Sequence, residues 1–252
     1  TNEEMIQYIE LSKKIAKIIN REDDDSREIL KRLLLKRKQI IHKAENKKSI
    51  FEDILKEHRE KTGSLKYTLV YVPEGNQPDD QSADVFDTTE RIKDDEDTIH
   101  LINEYTRIVR DVDSHIVVRQ FTSESIDRDA MLADFAKGNI DVLTSMKCLD
   151  EGVDVPRSEL AIFCASTGNP RQFIQRRGRV LRTHNDKRFA IIHDLVVIPQ
   201  INFDSDCYEL EKSLVLAEIN RVRDFALLSE NCNDALNTLD DVLNQYQISI
   251  FN

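Results

Sequence analysis

The sequence predicts an α/β protein in which helices cover both faces of a parallel β-sheet. Two observations lead to this class. Five short segments are rich in β-branched and apolar residues, and amphipathic helical segments lie between most of them. Because parallel strands require crossover connections, this alternation favours a parallel sheet that is buried on both faces. The chain has 252 residues, 40% of them apolar, which suffices for one such core and appended helices.

Helical spacing dominates residues 1–62, which we predict to form a helical arm. Apolar residues in the segment 3–20 recur at helical intervals. A second amphipathic stripe runs from Ser26 to Lys61 without Gly or Pro, and it predicts one long helix or two stacked helices. Ser26 is a suitable N-cap, and Gly63 supplies the stop.

Strands and helices then alternate through residues 63–203, the predicted central domain. Strands are predicted at residues 65–72, 114–122, 140–146, 159–165 and 189–197. Helices are predicted at residues 94–111, 125–137 and 170–182. Gly138 closes the second of these helices, and Pro170 lies near the first position of the third. Residues 204–252 return to helical spacing and predict a C-terminal helical pair.

The net charge of -11 is distributed unevenly along the chain. Residues 27–48 hold nine Lys or Arg against two Glu, and residues 171–188 hold seven against one Asp. Basic islands in an acidic protein favour a local contact with phosphate groups, and a solvated basic surface is the alternative. Residues 79–97 hold nine acids against two bases with little apolar content, which predicts a solvated loop.

No feature of the sequence predicts membrane insertion or export. No apolar run approaches the roughly 18–20 residues that span a bilayer, and no leader pattern is present. We therefore expect a soluble, cytoplasmic protein without a membrane partner. The four cysteines form no CxxC pair, and we expect buried free thiols in place of zinc ligands or disulfides. Because the first residue is Thr1, we expect the chain to belong to a longer polypeptide.

The stretch from Gln175 to Arg182 contains the densest group of arginines. Its sequence is QRRGRVLR, with four arginines within seven positions of a predicted helix. Arg179 and Arg182 are three residues apart, so a helix would present both guanidinium groups on one side. Such forked donors suit a multiply charged target such as a triphosphate, and an ordinary basic surface helix is the alternative. Gly178 costs about 1 kcal/mol of helix propensity relative to Ala, which close packing against another backbone would explain.

A second polar group follows the strand predicted at residues 140–146. At the carboxyl end of this strand the sequence continues as KCLDEGVDVP. Gly152 lets the backbone approach a ligand or a neighbour, and Asp154 offers an acceptor for a ribose hydroxyl or an arginine. Taken alone, this stretch could equally be a turn with a capping Asp. Asp150-Glu151 looks like a Mg²⁺ motif but lies directly before Gly152, so we assign no metal ligand.

Together the two stretches resemble motifs V and VI of superfamily 2 helicases, in the version found in XP-B-type repair helicases and in type I and III restriction translocases. Their order and spacing match. The similarity extends to residues 120–138, where FT, Arg128 and FAKG resemble the segment before motif V, and to the strand at residues 67–72 and the helical flanks. The family implies a second RecA-like domain of P-loop NTPase type and ATP-driven movement on DNA or RNA.

The resemblance implies a role for each matching residue in nucleotide hydrolysis. Arg179 and Arg182 would be arginine fingers that stabilise the transition state. Gln175 would contact the nucleotide. Asp154 would lie near the ribose or the fingers, with Gly152 beside it as the position of closest backbone approach.

The resemblance also implies contacts with the nucleic-acid backbone. Ser145, Lys147 and Thr122 would lie near that backbone. Many relatives have threonine where Met146 stands, and a thioether cannot donate a hydrogen bond to a phosphate. We therefore expect Ser145 or Lys147 to replace that contact.

No segment of the chain fits G-x-x-x-x-G-K-[ST], the loop that holds the nucleotide phosphates. ATP and Mg²⁺ would be bound mainly by an N-terminal RecA-like domain of the same polypeptide. The sequence of this chain does not contain that domain. Phosphoryl transfer depends on placement and charge stabilisation, so we expect this chain alone to be inactive.

We expect nucleic acid, with DNA ahead of RNA, to be the partner of the full motor, in restriction or in DNA repair. One alternative function is a RecA-like scaffold or regulatory module without ATPase activity. Another is a stand-alone nucleic-acid-binding module, which the acidic net charge disfavours.

Overall fold

The computed structural model describes residues 1–21, 23–73, 96–122, 124–146, 155, 157–164, 170–200, 205 and 207–249. Within residues 96–99 and 170–173 only the helical backbone is described. The chain forms two compact units: unit 1 comprises Thr1–Ile41 and Val196–Asn252, and unit 2 comprises His42–Leu195. The acidic segment that we predicted as a loop lies almost wholly outside the described residues.

Unit 2 is built on a five-stranded parallel sheet. The strands are β1 (Thr68–Tyr71), β2 (Val118–Phe121), β3 (Val142–Ser145), β4 (Leu160–Phe163) and β5 (Ile191–Asp194). Their order is β2-β3-β1-β4-β5, so β1 lies at the centre. Tyr71 pairs in register with Ser145 on one side and with Phe163 on the other. All five strands lie within the segments predicted from their apolar composition.

Helices α3 (Asn46–Thr62) and α4 (Glu96–Val112) cover one face of the sheet. Phe51 and Leu55 of α3 are fully buried in a core that includes Val70, Val142 and Ile162 of the sheet. This packing assigns α3 to unit 2, although the sequence predicted it as part of the N-terminal arm. The predicted domain boundaries themselves stay predictions.

Helices α5 (Arg128–Lys137) and α6 (Pro170–Val180) lie over the opposite face. Successive side chains of a strand point to opposite faces, so Tyr71 faces away from the core that contains Val70. The Arg176 guanidinium of α6 lies 5.3 Å from the centre of the Tyr71 ring, and the Arg128 guanidinium of α5 lies 4.6 Å from that of Phe121. The predicted α/β fold, with a parallel sheet between helices, is confirmed.

Unit 1 contains α1 (Asn2–Ile18), most of α2 (Asp24–His42), α7 (Tyr208–Ala226), α8 (Cys232–Asn237) and α9 (Asp240–Tyr246). The stripe predicted between residues 26 and 61 therefore forms two helices, α2 and α3. Helix α2 begins at Asp24 and not at Ser26, because the Asp23 carboxylate accepts the Ser26 backbone N–H at 2.8 Å. This bond also lowers the pKa of Asp23.

The predicted C-terminal pair is instead three helices, because its second member is interrupted between α8 and α9. The Thr238 hydroxyl donates to the Ala235 carbonyl at 2.7 Å, and the Leu239 N–H bonds to the Leu236 carbonyl at 2.9 Å. Gly63 and Gly138 end α3 and α5 as predicted, at φ values of 75° and 77°.

The described cysteines are free: Cys164 and Cys207 are buried, and Cys232 is partly buried. Burial raises the pKa of the Cys164 thiol. The Cys164 carbonyl accepts a hydrogen bond from the buried Lys47 ammonium at 3.0 Å, which ties the start of α3 to the end of β4. Among the described residues, no helix is long and apolar enough to cross a membrane.

A buried carboxylate joins three helices of unit 1. Glu211 of α7 accepts hydrogen bonds from the Tyr8 hydroxyl at 2.5 Å, the Ser12 hydroxyl at 2.7 Å and the Arg37 guanidinium at 2.7 Å. Glu211 is fully buried, and Arg37 is 4% exposed. Burying two charges is costly, and here one carboxylate satisfies donors from both α1 and α2.

We expect Glu211→Ala to lower the free energy of unfolding by about 3–5 kcal/mol, because it leaves the Arg37 charge buried without its carboxylate. The double variant Arg37→Met with Glu211→Met should recover much of this loss, since it removes both charges. Chemical denaturation of the single and double variants measures the effect.

The matched control is Glu52→Ala, which breaks the exposed ion pair between Lys56 and Glu52 at 2.6 Å. It should leave stability nearly unchanged. If Glu52→Ala and Glu211→Ala lowered the free energy of unfolding equally, the buried carboxylate would contribute no more to stability than an exposed ion pair.

Candidate functional site

The candidate site lies at the carboxyl edge of the sheet in unit 2. The strand register aligns the ends of the five strands, with Phe121 opposite Ser145 and Phe163 opposite Asp194. Ligands of open parallel sheets bind at this edge. Thr122 follows β2 there, and Ser145 is the last residue of β3. The predicted site residues Lys147, Gly152 and Asp154 lie outside the described residues.

Thr122 and Ser145 differ in accessibility. Thr122 is partly buried, and its N–H bonds to the Ser125 hydroxyl at 2.8 Å in the turn before α5. Ser145 is fully buried, and its hydroxyl donates to the Met146 carbonyl at 3.3 Å. A contact between the Ser145 hydroxyl and a backbone phosphate would therefore require the end of β3 to be uncovered.

The arginines of α6 occupy different environments. Gln175 is exposed, Arg176 is buried and Arg179 is partly buried. The helix ends at Val180, so the prediction that it continues to Arg182 is wrong. Arg182 is exposed and lies one turn beyond Arg179, whose carbonyl accepts the Arg182 N–H at 3.4 Å. This bond spans three residues and tightens the end of the helix.

Arg176 anchors α6 to the sheet. Arg176 is 4% exposed. Its guanidinium lies over the ring of Tyr71, at the carboxyl end of the central strand. A desolvated contact of this kind contributes about 2 kcal/mol. The sequence places Arg176 three residues before Arg179 on the same side of a helix, so spacing alone could not separate the anchoring arginine from the others.

Gly178 does not pack closely against another backbone, so that explanation of its presence is wrong. The residue is exposed, and among the described residues no atom lies within 4 Å of the position that a Cβ atom would take here. Its φ is not in the left-handed region, where Gly63 and Gly138 lie. The open space beside Gly178 leaves the helix surface accessible to an approaching group.

The segment after α6 contains residues that the sequence did not single out. The Lys187 ammonium donates to the carbonyl of Val180 and, at 2.9 Å, to that of Arg182. These carbonyls stand at the end of the helix, where the last C=O groups lack intrahelical partners. Lys187 is partly buried, and burial lowers its pKa. A lysine five residues after a motif carries no local signal of this role.

The turn that carries Lys187 is held by a second cation. Arg157 forms an ion pair with Asp186 at 3.3 Å, and its guanidinium lies 4.2 Å from the centre of the Tyr67 ring. Tyr67 precedes β1. The turn is therefore attached to the start of the central strand.

Within the described part of the chain, no group of three or more His, Cys, Asp or Glu residues is arranged to hold a metal ion.

Residues 85–184 match the family model described as the helicase conserved C-terminal domain. Residues 85–184 are thereby identified as a helicase C-terminal domain. The matched segment contains Thr122, the end of β3 and all of α6, and it includes every site residue proposed from the resemblance.

This chain is 39% identical over 77 residues to the DNA 3'-5' translocase XPB2 of Sulfurisphaera tokodaii. This alignment covers 31% of the chain and 17% of the relative. The chain therefore spans a minor part of the length of this relative.

Two solved structures are also similar to this chain. Domain 2 of the DEAD-box helicase Mss116p, bound to an RNA duplex, gives a TM-score of 0.43 at 12% identity, with 81% of this chain and 76% of that chain covered. The DUF1998 helicase MrfA, bound to DNA and AMPPNP, gives a TM-score of 0.41 at 12% identity, with 70% and 23% covered.

We expect Gly178→Ala to stabilise the chain by up to about 1 kcal/mol, because alanine has the higher helix propensity and its methyl group meets no neighbour. Thermal or chemical denaturation measures the change.

Gly138→Ala is the matched control. Gly138 has a φ of +77°, and its Cβ atom would lie 2.7 Å from the Tyr67 hydroxyl, so this variant should be destabilised. A loss of stability in both variants would indicate that Gly178 is packed after all.

Proposed function

We propose that this domain supplies the arginine fingers and part of the nucleic-acid contact of an ATP-dependent DNA translocase or helicase. The observation that carries the proposal is the anchoring of α6. Arg176 is stacked on Tyr71 at the carboxyl edge of the sheet, and Arg179 and Arg182 follow it along the chain. A fixed backbone is what a catalytic arginine requires, because small displacements of a charge at the reacting atoms reduce the rate.

In this proposal the ATP site forms between this domain and an N-terminal RecA-like domain of the same polypeptide. That domain binds most of ATP and Mg²⁺. Arg179 and Arg182 stabilise the charge that develops on the transferred phosphoryl group. Gln175, Gly152 and Asp154 contact the nucleotide from this side. The exposed position of Gln175 and the open space at Gly178 support an approach of the nucleotide along this helix.

In this proposal the nucleic-acid backbone contacts Thr122, Ser145 and Lys147, and the first two lie at the carboxyl edge of the sheet. Contacts with phosphate groups position a strand and carry little base information, so this domain does not select a sequence. The name of the XPB2 relative, a DNA 3'-5' translocase, supports DNA ahead of RNA. Loss of affinity with rising salt would measure the number of phosphate contacts.

We expect this chain alone to show no ATPase activity above background, with or without DNA or RNA. It contains no G-x-x-x-x-G-K-[ST] segment to hold the phosphates. Phosphate release by the purified chain, compared with the full-length protein, measures the difference. Nucleic-acid-stimulated hydrolysis that follows the purified chain through chromatography would contradict the proposal.

In the full-length protein, we expect Arg179→Lys or Arg182→Ala to lower kcat by roughly 10³-fold or more, since finger arginines act mainly in the transition state. The affinity for ATP should change far less. Steady-state ATP turnover and nucleotide binding, measured on the same preparations, give the two quantities.

Arg188→Ala is the control, because Arg188 is an exposed arginine of the same basic island that the proposal leaves without a role. Its kcat should stay close to wild type. If Arg179→Lys and Arg182→Ala also stayed within about threefold of wild type, far from the finger range, the finger assignment would be wrong.

A further inference from the structure

We infer that Lys187 is a positioning residue for Arg182 and fixes the point at which the chain leaves α6. The inference rests on the proposed function, in which Arg182 is an arginine finger. It adds a residue outside the arginine stretch to the machinery of hydrolysis.

Lys187 forms hydrogen bonds with backbone carbonyl groups at and before Arg182. The ammonium donates to the carbonyl of Val180, the last residue of α6, and to the carbonyl of Arg182 itself at 2.9 Å. On the other side, the Arg182 N–H bonds to the Arg179 carbonyl at 3.4 Å. Both peptide groups next to the Arg182 Cα atom are thereby held, although Arg182 lies beyond the helix.

A positive charge suits this position. The last carbonyl groups of a helix carry a partial negative charge, and a lysine side chain near them is favourable. The ammonium can donate three hydrogen bonds, so it can bind two carbonyls at once. No uncharged side chain of similar length offers the same number of donors.

Lys187 is itself held by the sheet. Lys187 and His184 pair as an antiparallel bridge, with the Lys187 N–H bonded to the His184 carbonyl at 3.0 Å. Asp186, between them, pairs with Arg157, which lies over the Tyr67 ring. A continuous set of contacts thus runs from the residue before β1 to the backbone of Arg182.

This set of contacts matters because the arginine side chain is long. A small change in the direction of its backbone therefore moves the guanidinium by a larger distance. Arg182 lies beyond α6, so helical hydrogen bonds do not fix its backbone. The two bonds from Lys187 to the carbonyls of Val180 and Arg182 take their place. A displacement of about 1 Å at a catalytic group can cost about 10²-fold in rate. Loss of Lys187 should therefore weaken the finger without removing it.

The experiment is a double-mutant cycle in the full-length protein, with Lys187→Met, Lys187→Arg, Arg182→Ala and the combination of Lys187→Met with Arg182→Ala. We expect Lys187→Met to lower kcat by about 10²-fold while KM for ATP changes much less. Lys187→Arg should restore most of the rate, because it keeps the charge and the donors. In the Arg182→Ala background, Lys187→Met should cause no further loss.

Arg188→Met is the matched control, since it removes a neighbouring cation from the exposed side of the same turn. It should leave kcat unchanged. Additive losses in the cycle, or a full rate for Lys187→Met beside a low rate for Arg182→Ala, would overturn the inference.

Amide hydrogen exchange in this chain separates failure of the inference from failure of the proposed function. Lys187→Met should speed exchange of the Arg182 N–H, because its bond to the Arg179 carbonyl depends on the backbone that Lys187 holds, whereas Arg188→Met should not change it. If Arg182→Ala left kcat at the wild-type level, the finger role would fall, and unchanged exchange at Arg182 would overturn the positioning role independently.

Discussion

The arrangement of the candidate site depends on the contact between Arg176 and Tyr71. The central strand β1 is bonded on both sides, so the end of β1 is among the most constrained points of unit 2. Arg176 attaches α6 to that point through a buried cation–π contact. The arginines that we propose as fingers then inherit their location from Arg176, to which the proposed function gives no contact with ATP or nucleic acid. Two other cations, Arg157 and Lys187, fix the end of the same helix.

Most of the fold could be predicted because its signals are local. Short β-branched runs predicted every strand of the sheet, and Gly63 and Gly138 marked helix ends because both occupy the left-handed region. The break between α8 and α9 could not be predicted in the same way. At this break the Leu239 N–H bonds to the Leu236 carbonyl, three residues back, and no Gly or Pro in the local sequence marks the change.

The position of the candidate site could be predicted from the sequence. The environment of each of its residues could not. Motif spacing placed the arginines and the end of β3 at one edge of the sheet. It could not show that Arg176 is buried, that Gly178 has open space beside it, or that Ser145 faces the interior. These properties depend on Tyr71 and on other residues distant in sequence. The end of α6 was also misjudged, because nothing in the stretch itself marks Val180 as its last helical residue.

The buried carboxylate of unit 1 has a consequence for the order in which the chain folds during synthesis. Unit 2 is a single continuous stretch, whereas unit 1 combines residues from both sides of it. Helices α1 and α2 therefore leave the ribosome before Glu211 has been translated, and the Arg37 guanidinium must stay hydrated until α7 is made. Unit 2 can complete its core in the meantime, since domains fold as units while synthesis proceeds. Unit 1 is thus the last part of the chain to reach its native state.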